Sequence, residues 1–426
     1  MTRSIGRIPL FHKSIFRKLL QLSNLVNFSK KAFKRLAWWA SYFLPPLMIF
    51  KWTGTLPYRT ISYKEFDPIP FRPDAQGVMD EQRPLSIRSN QIWSVTPPSD
   101  LVMSHVLSIK GGIADHWGNV FDPLTGKLIS GATHKYRYKV KRAHTPRLQP
   151  AYLHVEHLSV DVAVFTASNQ HIYWHWLLDV IPRLIMLDEM GKRPHTLYLQ
   201  NKLPFQHEML EYMGVLSKLK IIDCDSIPMI SASTLLVPCH QIMEGRQFPQ
   251  WVYQGLRKKF LPFLKQGKVG STGRIYISRA GSSQRRISNE EKLFPILRDY
   301  AFQVVKLEEL TFAEQMGIFQ EAEVVLAPNG SGLANLVFCS KGTTVIEIFP
   351  NVPNVLNSVD YTFNFDYNYR LARSLDLTYY FVCGNDENVK PSEVGDYSLM
   401  PEDLVRTLDL AKVTGTKKGN EVQPFN

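Results

Sequence analysis

The sequence predicts an α/β protein whose later half contains a parallel sheet with helices on both faces. Short apolar runs rich in β-branched residues alternate with helical segments from Arg274 onward. This β-α-β-α-β-α-β series requires crossover connections, so its strands are expected to be parallel. The turn Pro328–Gly332, with two glycines, lies between a strand and a helix. Ligands bind outside the carboxyl ends of such strands, which makes this turn a candidate ligand site.

The first 64 residues form a basic extension. They contain twelve Lys and Arg and no Asp or Glu, whereas the remaining residues contain 38 of each charge, so the net charge of +12 lies entirely in the extension. A nucleic-acid-binding body is therefore not predicted. Residues 11–33 mix apolar and basic side chains at helical spacing, as an interfacial helix does. The uncharged run 36–50 is interrupted by Pro45-Pro46 and is too short to span a bilayer of about 30 Å.

We predict that residues 1–52 bind an anionic membrane surface, because bases near the lipid are attracted to its negative charge. A basic extension without a lipid role is the alternative. Four cysteines without a C-x-x-C pair are typical of free thiols in a reducing compartment. The triplet Asn329-Gly330-Ser331 would also attract a glycan to the candidate ligand turn in a lumenal enzyme. Both observations predict a cytoplasmic protein, peripheral on the cytoplasmic face of the membrane.

The middle of the chain also alternates strands and helices, which predicts a second Rossmann-like half. Its strands are expected at 152–158, 161–165, 197–199 and 220–222, and its helices at 171–189, 204–213 and 251–264. The segment Gly267–Gly273 has the composition of a linker. We therefore predict four parts: the extension 1–64, a first domain 65–266, a second domain 267–400, and a last helix with a frayed tail, 401–426.

In the second domain, two capping boxes are each expected to open a helix. These are Ser288-x-x-Glu291 and Thr311-x-x-Glu314. A helix is also expected directly after the glycine turn, over Leu333–Phe338. The strands are expected at 274–278, 302–307, 324–327 and 343–349, followed by a helix at 371–377 and a strand at 379–383.

Four ordered motifs resemble family 61 glycosyltransferases. They are the stretch Tyr173–Arg183 (YWHWLLDVIPR), the group Tyr276–Arg279 with Arg285, Arg286 and Asn289, the turn Pro328–Asn335, and the strand Val345–Pro350. The resemblance covers residues 151–384. It implies a GT-B fold, in which two Rossmann-like domains enclose a cleft, a nucleotide-sugar donor, inversion at the anomeric carbon, and no obligatory metal. Two positions depart from the family pattern: Asn329 stands where His is frequent, and Ile172 where Asn is frequent.

Inverting sugar transfer needs a base for the acceptor hydroxyl and positive charge for the departing diphosphate. His175 and Asp179 are four residues apart on one predicted helical face. We predict Asp179 as the base with His175 beside it; the reverse assignment stays open, as does a purely structural role in a Trp-rich core helix.

The donor site is predicted at the carboxyl ends of the later strands. Arg279 is a permanently charged group suited to phosphate, and the backbone N–H groups of the glycine turn face an anion at a helix N-terminus. Glu347 is expected to accept hydrogen bonds from ribose. The predicted donor-binding residues are Ser278, Arg279, Asn329, Gly330, Ser331, Gly332, Leu333 and Glu347. Further candidates for phosphate or acceptor contacts are Arg183, Arg285, Arg286 and Asn289.

No metal and no cofactor are predicted, apart from a nucleotide-sugar co-substrate that we expect to be a UDP-sugar. Asp223-Cys224-Asp225 has the D-x-D spacing, but it directly follows an apolar run and is interpreted as a strand-to-turn junction. The predicted acceptor is a glycan or lipid-linked glycan in polysaccharide synthesis. The alternative function, favoured by Asn329 and Ile172, is a non-catalytic nucleotide-binding scaffold in polysaccharide assembly.

Overall fold

A computed structural model describes residues 60–62, 69–70, 85–86, 104–124, 128–130, 132, 155–167, 169–192, 194–239, 248–265, 273–350, 367–386 and 395–415. The predicted membrane-binding segment 1–52 lies outside these residues, as does the predicted linker up to residue 272. No helix within the described ranges is long and apolar enough to cross a membrane.

The eighteen strands of the described residues fall into three sheets. They are β1 (Thr60–Ser62), β2 (Ile69–Pro70), β3 (Leu85–Ser86), β4 (His105–Lys110), β5 (Ile113–Asp115), β6 (Val120–Phe121), β7 (Leu128–Ser130), β8 (Glu156–Val164), β9 (Thr196–Leu199), β10 (Lys220–Asp223), β11 (Met229–Cys239), β12 (Arg274–Ile277), β13 (Gln303–Val305), β14 (Val324–Pro328), β15 (Thr344–Phe349), β16 (Thr378–Cys383), β17 (Asn385–Asp386) and β18 (Tyr397–Ser398).

Eight α-helices accompany these strands in the part of the chain that the structure describes. They are α1 (Tyr173–His175), α2 (Ile181–Glu189), α3 (Pro204–Tyr212), α4 (Gln250–Phe260), α5 (Glu290–Asp299), α6 (Phe312–Glu321), α7 (Tyr367–Ser374) and α8 (Pro401–Leu410). A π-helical turn, Trp176–Val180, joins α1 to α2, and 3-10 helices occupy Leu261–Phe263, Leu307–Glu309 and Ser331–Phe338.

The later sheet has the parallel architecture that the sequence predicts. Its strand order is β13-β12-β14-β15-β16-β3, and every pairing is parallel. Successive residues of β14 face opposite layers: Val325 belongs to a core shared with α6 and the 3-10 helix Ser331–Phe338, and Leu326 to a core shared with α5 and α8. Both faces are therefore covered, which explains why the strand is continuously apolar.

The earlier sheet differs from the predicted Rossmann-like half, because it is mixed. Its main order is β1-β7-β6-β5-β11-β8-β9-β10. β11, β8, β9 and β10 form a parallel run, and β1 pairs with β7 in the parallel direction. In contrast, β4 and β5 pair with β11 in the antiparallel direction, and β5, β6 and β7 form hairpins. The short strands β5, β6 and β7 are joined by tight connections without a helix between them. Each strand has too few residues for the sequence pattern to indicate whether it runs parallel or antiparallel to its neighbour.

The two sheets meet through an apolar core and through polar contacts between helices. One buried cluster contains residues from β8, α2, α4, β14 and the 3-10 helix Ser331–Phe338. The Glu208 carboxylate of α3 accepts hydrogen bonds from the N–H groups of Phe312 and Ala313 at the start of α6. Arg257 of α4 donates to the carbonyls of Val337 and Cys339, at the end of the 3-10 helix Ser331–Phe338. A carboxylate at a helix N-terminus and a guanidinium at a C-terminus both complement the helix dipole.

The two predicted capping boxes have different outcomes. Thr311 caps α6, since its hydroxyl accepts from the Glu314 N–H while the Glu314 carboxylate accepts from the Thr311 N–H. The box at Ser288 is wrong: α5 begins after Asn289, which has no side-chain cap. Instead, the Asn289 side chain forms two hydrogen bonds with the backbone of Leu399, next to β18. A tertiary contact has replaced the local one.

Candidate functional site

The helix that carries the predicted base changes its pitch at the candidate residues. Residues 173–189, called the signature helix below, were predicted as part of one regular helix, but Trp176–Val180 form a π-helical turn. The Ile181 N–H donates to the Trp176 carbonyl, five residues back. Single π turns inside α-helices are frequent at functional sites. Residues 176–180 are all buried, so the wide turn is held by packing on every side.

His175 and Asp179 form the close pair that the sequence predicts. His175 Nδ1 lies 2.6 Å from Asp179 Oδ2. The Asp179 side chain has no exposed surface, whereas 13% of the His175 side chain is exposed. An ionised carboxylate only accepts hydrogen bonds, so it favours the tautomer in which Nδ1 carries the proton and Nε2 has the free lone pair. This geometry favours the reverse of our predicted assignment, with His175 as the partly exposed base and Asp179 as the group that orients it.

Arg183 fixes the signature helix to the end of β8. Its Nε donates to the Asp179 carbonyl at 2.9 Å and its Nη2 to the Phe165 carbonyl at 2.5 Å. Only 1% of the residue is exposed. The prediction that Arg183 contacts phosphate or acceptor is therefore not supported, because its guanidinium is buried against main-chain carbonyls of the fold itself.

Arg279 and Gly330 lie together, at the carboxyl ends of neighbouring parallel strands. Arg279 follows β12 and Gly330 follows β14, and these strands pair directly. The Arg279 guanidinium covers Gly330 so closely that a Cβ at this position would overlap Nη1. The backbone of Gly330 is extended, with φ −177°, so close approach and not an unusual dihedral requires glycine here.

Arg285 approaches the same turn from the loop after β12. Its Nη1 donates to Asn329 Oδ1 at 2.7 Å. Its backbone has a φ of 60°, in the left-handed region that costs a residue other than glycine about 1–2 kcal/mol. Burial and the neighbouring Arg285 charge lower the pKa of Arg279, in that order. Two guanidinium groups of like charge are thus held near each other. An anion with more than one negative charge would stabilise this arrangement, because it can bind both groups. We call Arg279, Arg285, Asn329 and Gly330 the arginine cluster.

The glycine turn supplies backbone donors to this cluster, with one correction. The helix after the turn is a 3-10 helix that begins at Ser331, two residues before the predicted start. The Leu333 N–H donates to the Gly330 carbonyl and closes the first 3-10 turn. Leu333 is therefore wrong as an anion donor, and the N–H groups of Ser331 and Gly332, which precede that bond, are the candidates that the geometry retains.

Glu347 does not have the exposure that a ribose contact needs. It is fully buried in β15. Its Oε1 accepts from Asn329 Nδ2 at 2.6 Å and from Asn368 Nδ2 at 2.9 Å, and its Oε2 accepts from the Tyr379 hydroxyl at 2.5 Å. Burial raises the pKa of Glu347 to about 7, although these three hydrogen bonds act in the opposite direction. The carboxylate is committed to protein donors, so the predicted direct contact with ribose is not supported.

The remaining candidates lie around the loop between β12 and α5. The Ser278 hydroxyl is buried and accepts from the Ala280 N–H, at the base of the Arg279 loop. Arg286 forms an ion pair with Asp396, with Nη2 2.6 Å from Oδ2. Asn289 is engaged with Leu399, as described above. Arg286 and Asn289 thus attach this loop to β18, and of the further candidates only Arg285 reaches the arginine cluster.

The signature helix and the arginine cluster belong to one region of the molecule. The Tyr173 hydroxyl, two residues before His175, donates to Asn335 Oδ1 at 2.5 Å, and Asn335 lies in the 3-10 helix that begins at Ser331. Beside it, the Trp174 ring packs against Tyr367 at a centroid distance of 5.3 Å. The next residue, Asn368, is the one that donates to Glu347. The candidate base is therefore joined to the candidate anion site by two separate chains of contact.

The D-x-D motif has the structural role that was predicted for it. Asp223 ends β10, and its carboxylate accepts from the Ser226 hydroxyl and the Asp225 N–H. Lys202 Nζ lies 3.3 Å from Asp225 Oδ2 and 3.6 Å from Asp223 Oδ2. Within the described ranges, no three His, Cys, Asp or Glu side chains are grouped closely enough to hold a metal ion. The four cysteines are buried, and none of them forms a disulfide.

Sequence reasoning missed Tyr173, Asn335, Asn368 and Tyr379. A signal for the last two was present, since a single Glu inside the apolar strand TVIEIF must find hydrogen-bond donors if the strand is buried. The pattern could not name those donors, because they lie 21 and 32 residues further along the chain. Tyr173 and Asn335 are 162 residues apart, and nothing local in the sequence links them.

Comparison with known proteins supports the resemblance that the motifs indicate. No curated protein sequence matches the chain. The family model described as Glycosyltransferase 61 matches residues 173–346. The matched range begins at the hydroxyl donor of the signature helix, includes the whole arginine cluster, and ends one residue before Glu347. Over residues 173–346, this chain is similar to the family 61 glycosyltransferases.

Proposed function

We propose that this glycosyltransferase moves a sugar from a nucleoside-diphosphate donor to a hydroxyl group of a glycan acceptor, with inversion at the anomeric carbon. The hydrogen bond between Tyr173 and Asn335 is the observation that supports this most directly, because it ties the helix of a His–Asp pair to the helix beside two guanidinium groups. Base and leaving-group stabiliser must be close for a single displacement.

His175 acts as the base in this proposal. Asp179 accepts the Nδ1 proton and holds the ring, so that Nε2 takes the proton of the acceptor hydroxyl. The acceptor oxygen then forms a bond to the anomeric carbon as the bond from that carbon to the phosphate oxygen breaks. One displacement from the face opposite the leaving group inverts the configuration.

The arginine cluster stabilises the leaving group. The electron pair of the broken bond goes to the diphosphate, whose negative charge increases during the step. Arg279, Arg285 and the N–H groups of Ser331 and Gly332 are positioned before the reaction, and such groups stabilise developing charge without reorganisation. Two guanidinium groups supply the positive charge that divalent metals supply in other transferases, so the proposed step requires no metal.

A donor panel tests this proposal. Release of nucleoside diphosphate from UDP-, GDP- and dTDP-sugars, and of CMP from CMP-sugars, is measured with a glycan acceptor mixture for the full chain and for Asp179→Asn, which keeps the side-chain volume. We expect turnover with one nucleoside-diphosphate class, UDP-sugars first, and a large loss in Asp179→Asn with nucleotide binding retained. Folded protein that binds nucleotide tightly and releases no diphosphate would favour the non-catalytic scaffold instead.

The basic extension suggests that the protein binds its acceptor at a membrane surface. We propose that residues 1–52 hold the enzyme on the cytoplasmic face of a membrane, where lipid-linked glycans are available; the support is that all twelve excess positive charges lie in the first 64 residues. Co-sedimentation with vesicles containing anionic lipid should be strong for the full chain and decrease with salt. Equal sedimentation with neutral and anionic vesicles would contradict an electrostatic attachment.

A further inference from the structure

A carboxylate lies in the apolar layer of the later sheet, at a position where a hydrophobic residue would be expected. Its chain neighbours Ile346 and Ile348 face one core, and Val345 and Phe349 face the other, on the same side as Glu347. A buried carboxyl group is costly unless hydrogen bonds compensate its lost hydration. Asn329, Asn368 and Tyr379 provide them.

What Glu347 organises is the orientation of one amide. Above its pKa of about 7, Glu347 is predominantly an ionised carboxylate, which only accepts hydrogen bonds, whereas a guanidinium only donates them. With Glu347 on one side at 2.6 Å and Arg285 on the other at 2.7 Å, the Asn329 amide has a single consistent orientation, with Nδ2 towards Glu347 and Oδ1 towards Arg285. Rotating the amide by 180° would place donor against donor and acceptor against acceptor.

Arg285 needs such an anchor. Its backbone is in the left-handed region, and its charge is repelled by the Arg279 guanidinium. Its side-chain hydrogen bond goes to the neutral Asn329 amide, which leaves the positive charge available for a ligand. A carboxylate directly on Arg285 would neutralise that charge. Glu347 instead contacts Asn329, the hydrogen-bond partner of Arg285, and it is buried too deeply to contact the ligand.

We propose that Glu347 is a positioning residue that holds Arg285 at the anion site through Asn329 and does not contact the donor. The Glu347 carboxylate also accepts a hydrogen bond from Asn368 of α7. The residue before Asn368, Tyr367, packs against Trp174, so Glu347 is connected to the signature helix as well as to Asn329. This inference rests on the proposed function only in identifying the anion as the donor's diphosphate.

Affinity measurements with two probes separate positioning from ribose contact. Dissociation constants for UDP and for inorganic pyrophosphate, which has no ribose, are measured for the wild type, Glu347→Gln, Arg285→Ala and the double variant. Gln retains the volume and loses the charge, and its own amide competes for the Asn329 orientation. We expect Glu347→Gln to weaken both probes by a similar factor of about 10, and to add little in the Arg285→Ala background. Tyr198→Phe in β9, which removes a buried hydroxyl bonded to the Ile227 carbonyl in the earlier sheet, is the matched control, with UDP affinity expected to change less than about twofold.

Each other outcome overturns the inference or the function separately. A loss for UDP with unchanged pyrophosphate affinity would identify Glu347 as a ribose ligand. Additive losses in the double variant, or no loss at all, would sink the positioning role while leaving sugar transfer intact. If the wild type bound pyrophosphate but no nucleotide, the positioning role would stand and the proposed function would fall. Binding of neither probe would overturn both. Should Glu347→Gln not fold, Asn329→Ser breaks the same link outside the strand, with the same expected result.

Discussion

The two parts of the candidate site are built in different ways. The His175–Asp179 pair lies within five consecutive residues of one helix, whereas the arginine cluster brings together the ends of β12 and β14 and a loop, and depends on β15, β16 and α7. The pair is local in sequence and the cluster is assembled by the sheet. The geometry of the pair is therefore fixed by helix pitch, whereas the geometry of the cluster depends on buried hydrogen bonds far from the ligand.

The largest expected effect is on kcat, and it distinguishes the His175–Asp179 pair from the arginine cluster. His175→Gln should reduce kcat about 10³-fold with little change in UDP affinity, because the base is lost and the anion site is untouched. Arg279→Ala should reduce UDP affinity as well as turnover. Asp179→Asn and His175→Gln should be non-additive, since they act as one unit. Steady-state release of nucleoside diphosphate and calorimetric binding of UDP measure both quantities. A large loss of UDP affinity in His175→Gln would show that the pair belongs to the donor site, and the distinction would break.

The second effect concerns pH, and it is specific to the cluster. Because burial raises the folded-state pKa of Glu347 from 4.5 to about 7, the folded protein binds a proton more readily than the unfolded chain between these values. Protonated Glu347 therefore adds to the free energy of unfolding. This stabilisation is fully present below pH 4.5, and roughly 3 kcal/mol of it is lost as the pH rises through 7. The free energy of unfolding of the wild type, minus that of Glu347→Gln, should fall over this window and be level outside it. Among the described residues, Tyr379, Arg285 and Tyr397 are ionisable groups that interact with Glu347. A pH-independent difference would mean that Glu347 is already ionised throughout.

The third effect sharpens the role of close packing in the cluster. Gly330→Ala places a methyl group where Arg279 Nη1 lies, so the guanidinium must move away from the turn. We expect UDP affinity to fall about 10-fold, which corresponds to roughly 1.4 kcal/mol, with the fold retained because the backbone there is extended. The control is Gly255→Ala in α4, where the new Cβ would meet only the Ile185 side chain. Equal UDP affinity in both variants would show that Arg279 does not need its place over the turn.

The smallest effect tests the link between the two parts. Tyr173→Phe removes the hydrogen bond to Asn335 and nothing else of the ring. We expect a loss of about 1 kcal/mol in the free energy of unfolding, and a decrease of a few-fold in kcat without a change in UDP affinity. Tyr198→Phe is the comparison, since its hydroxyl donates to the Ile227 carbonyl in the earlier sheet, away from this junction. If both variants behaved alike, the Tyr173 contact would contribute stability alone.

How much the sequence could predict follows the same division. The parallel sheet was predictable because buried strands and helices alternate at regular intervals, and Thr311 was predictable as a cap because its partner is three residues away. The His–Asp pair was predictable for the same local reason. The mixed direction of β4–β7 was not, since the pairing of β11 with β4, β5 and β8 joins segments far apart in sequence. Nor was the role of Glu347, whose three donors come from three different segments of the chain.

The wide turn at Trp176–Val180 has a further consequence for how this protein tolerates change in length. One residue of an α-helix corresponds to a rotation of about 100°, so a π turn stores one residue more than regular pitch would hold. Deleting a single residue there would restore regular pitch and leave both ends of the helix near their present places, with Arg183 still anchoring the later part. Inserting a residue would instead rotate the beginning of the helix by about 100° relative to that anchor. Tyr173 would then point away from Asn335, so we expect this segment to tolerate the loss of one residue better than the gain of one.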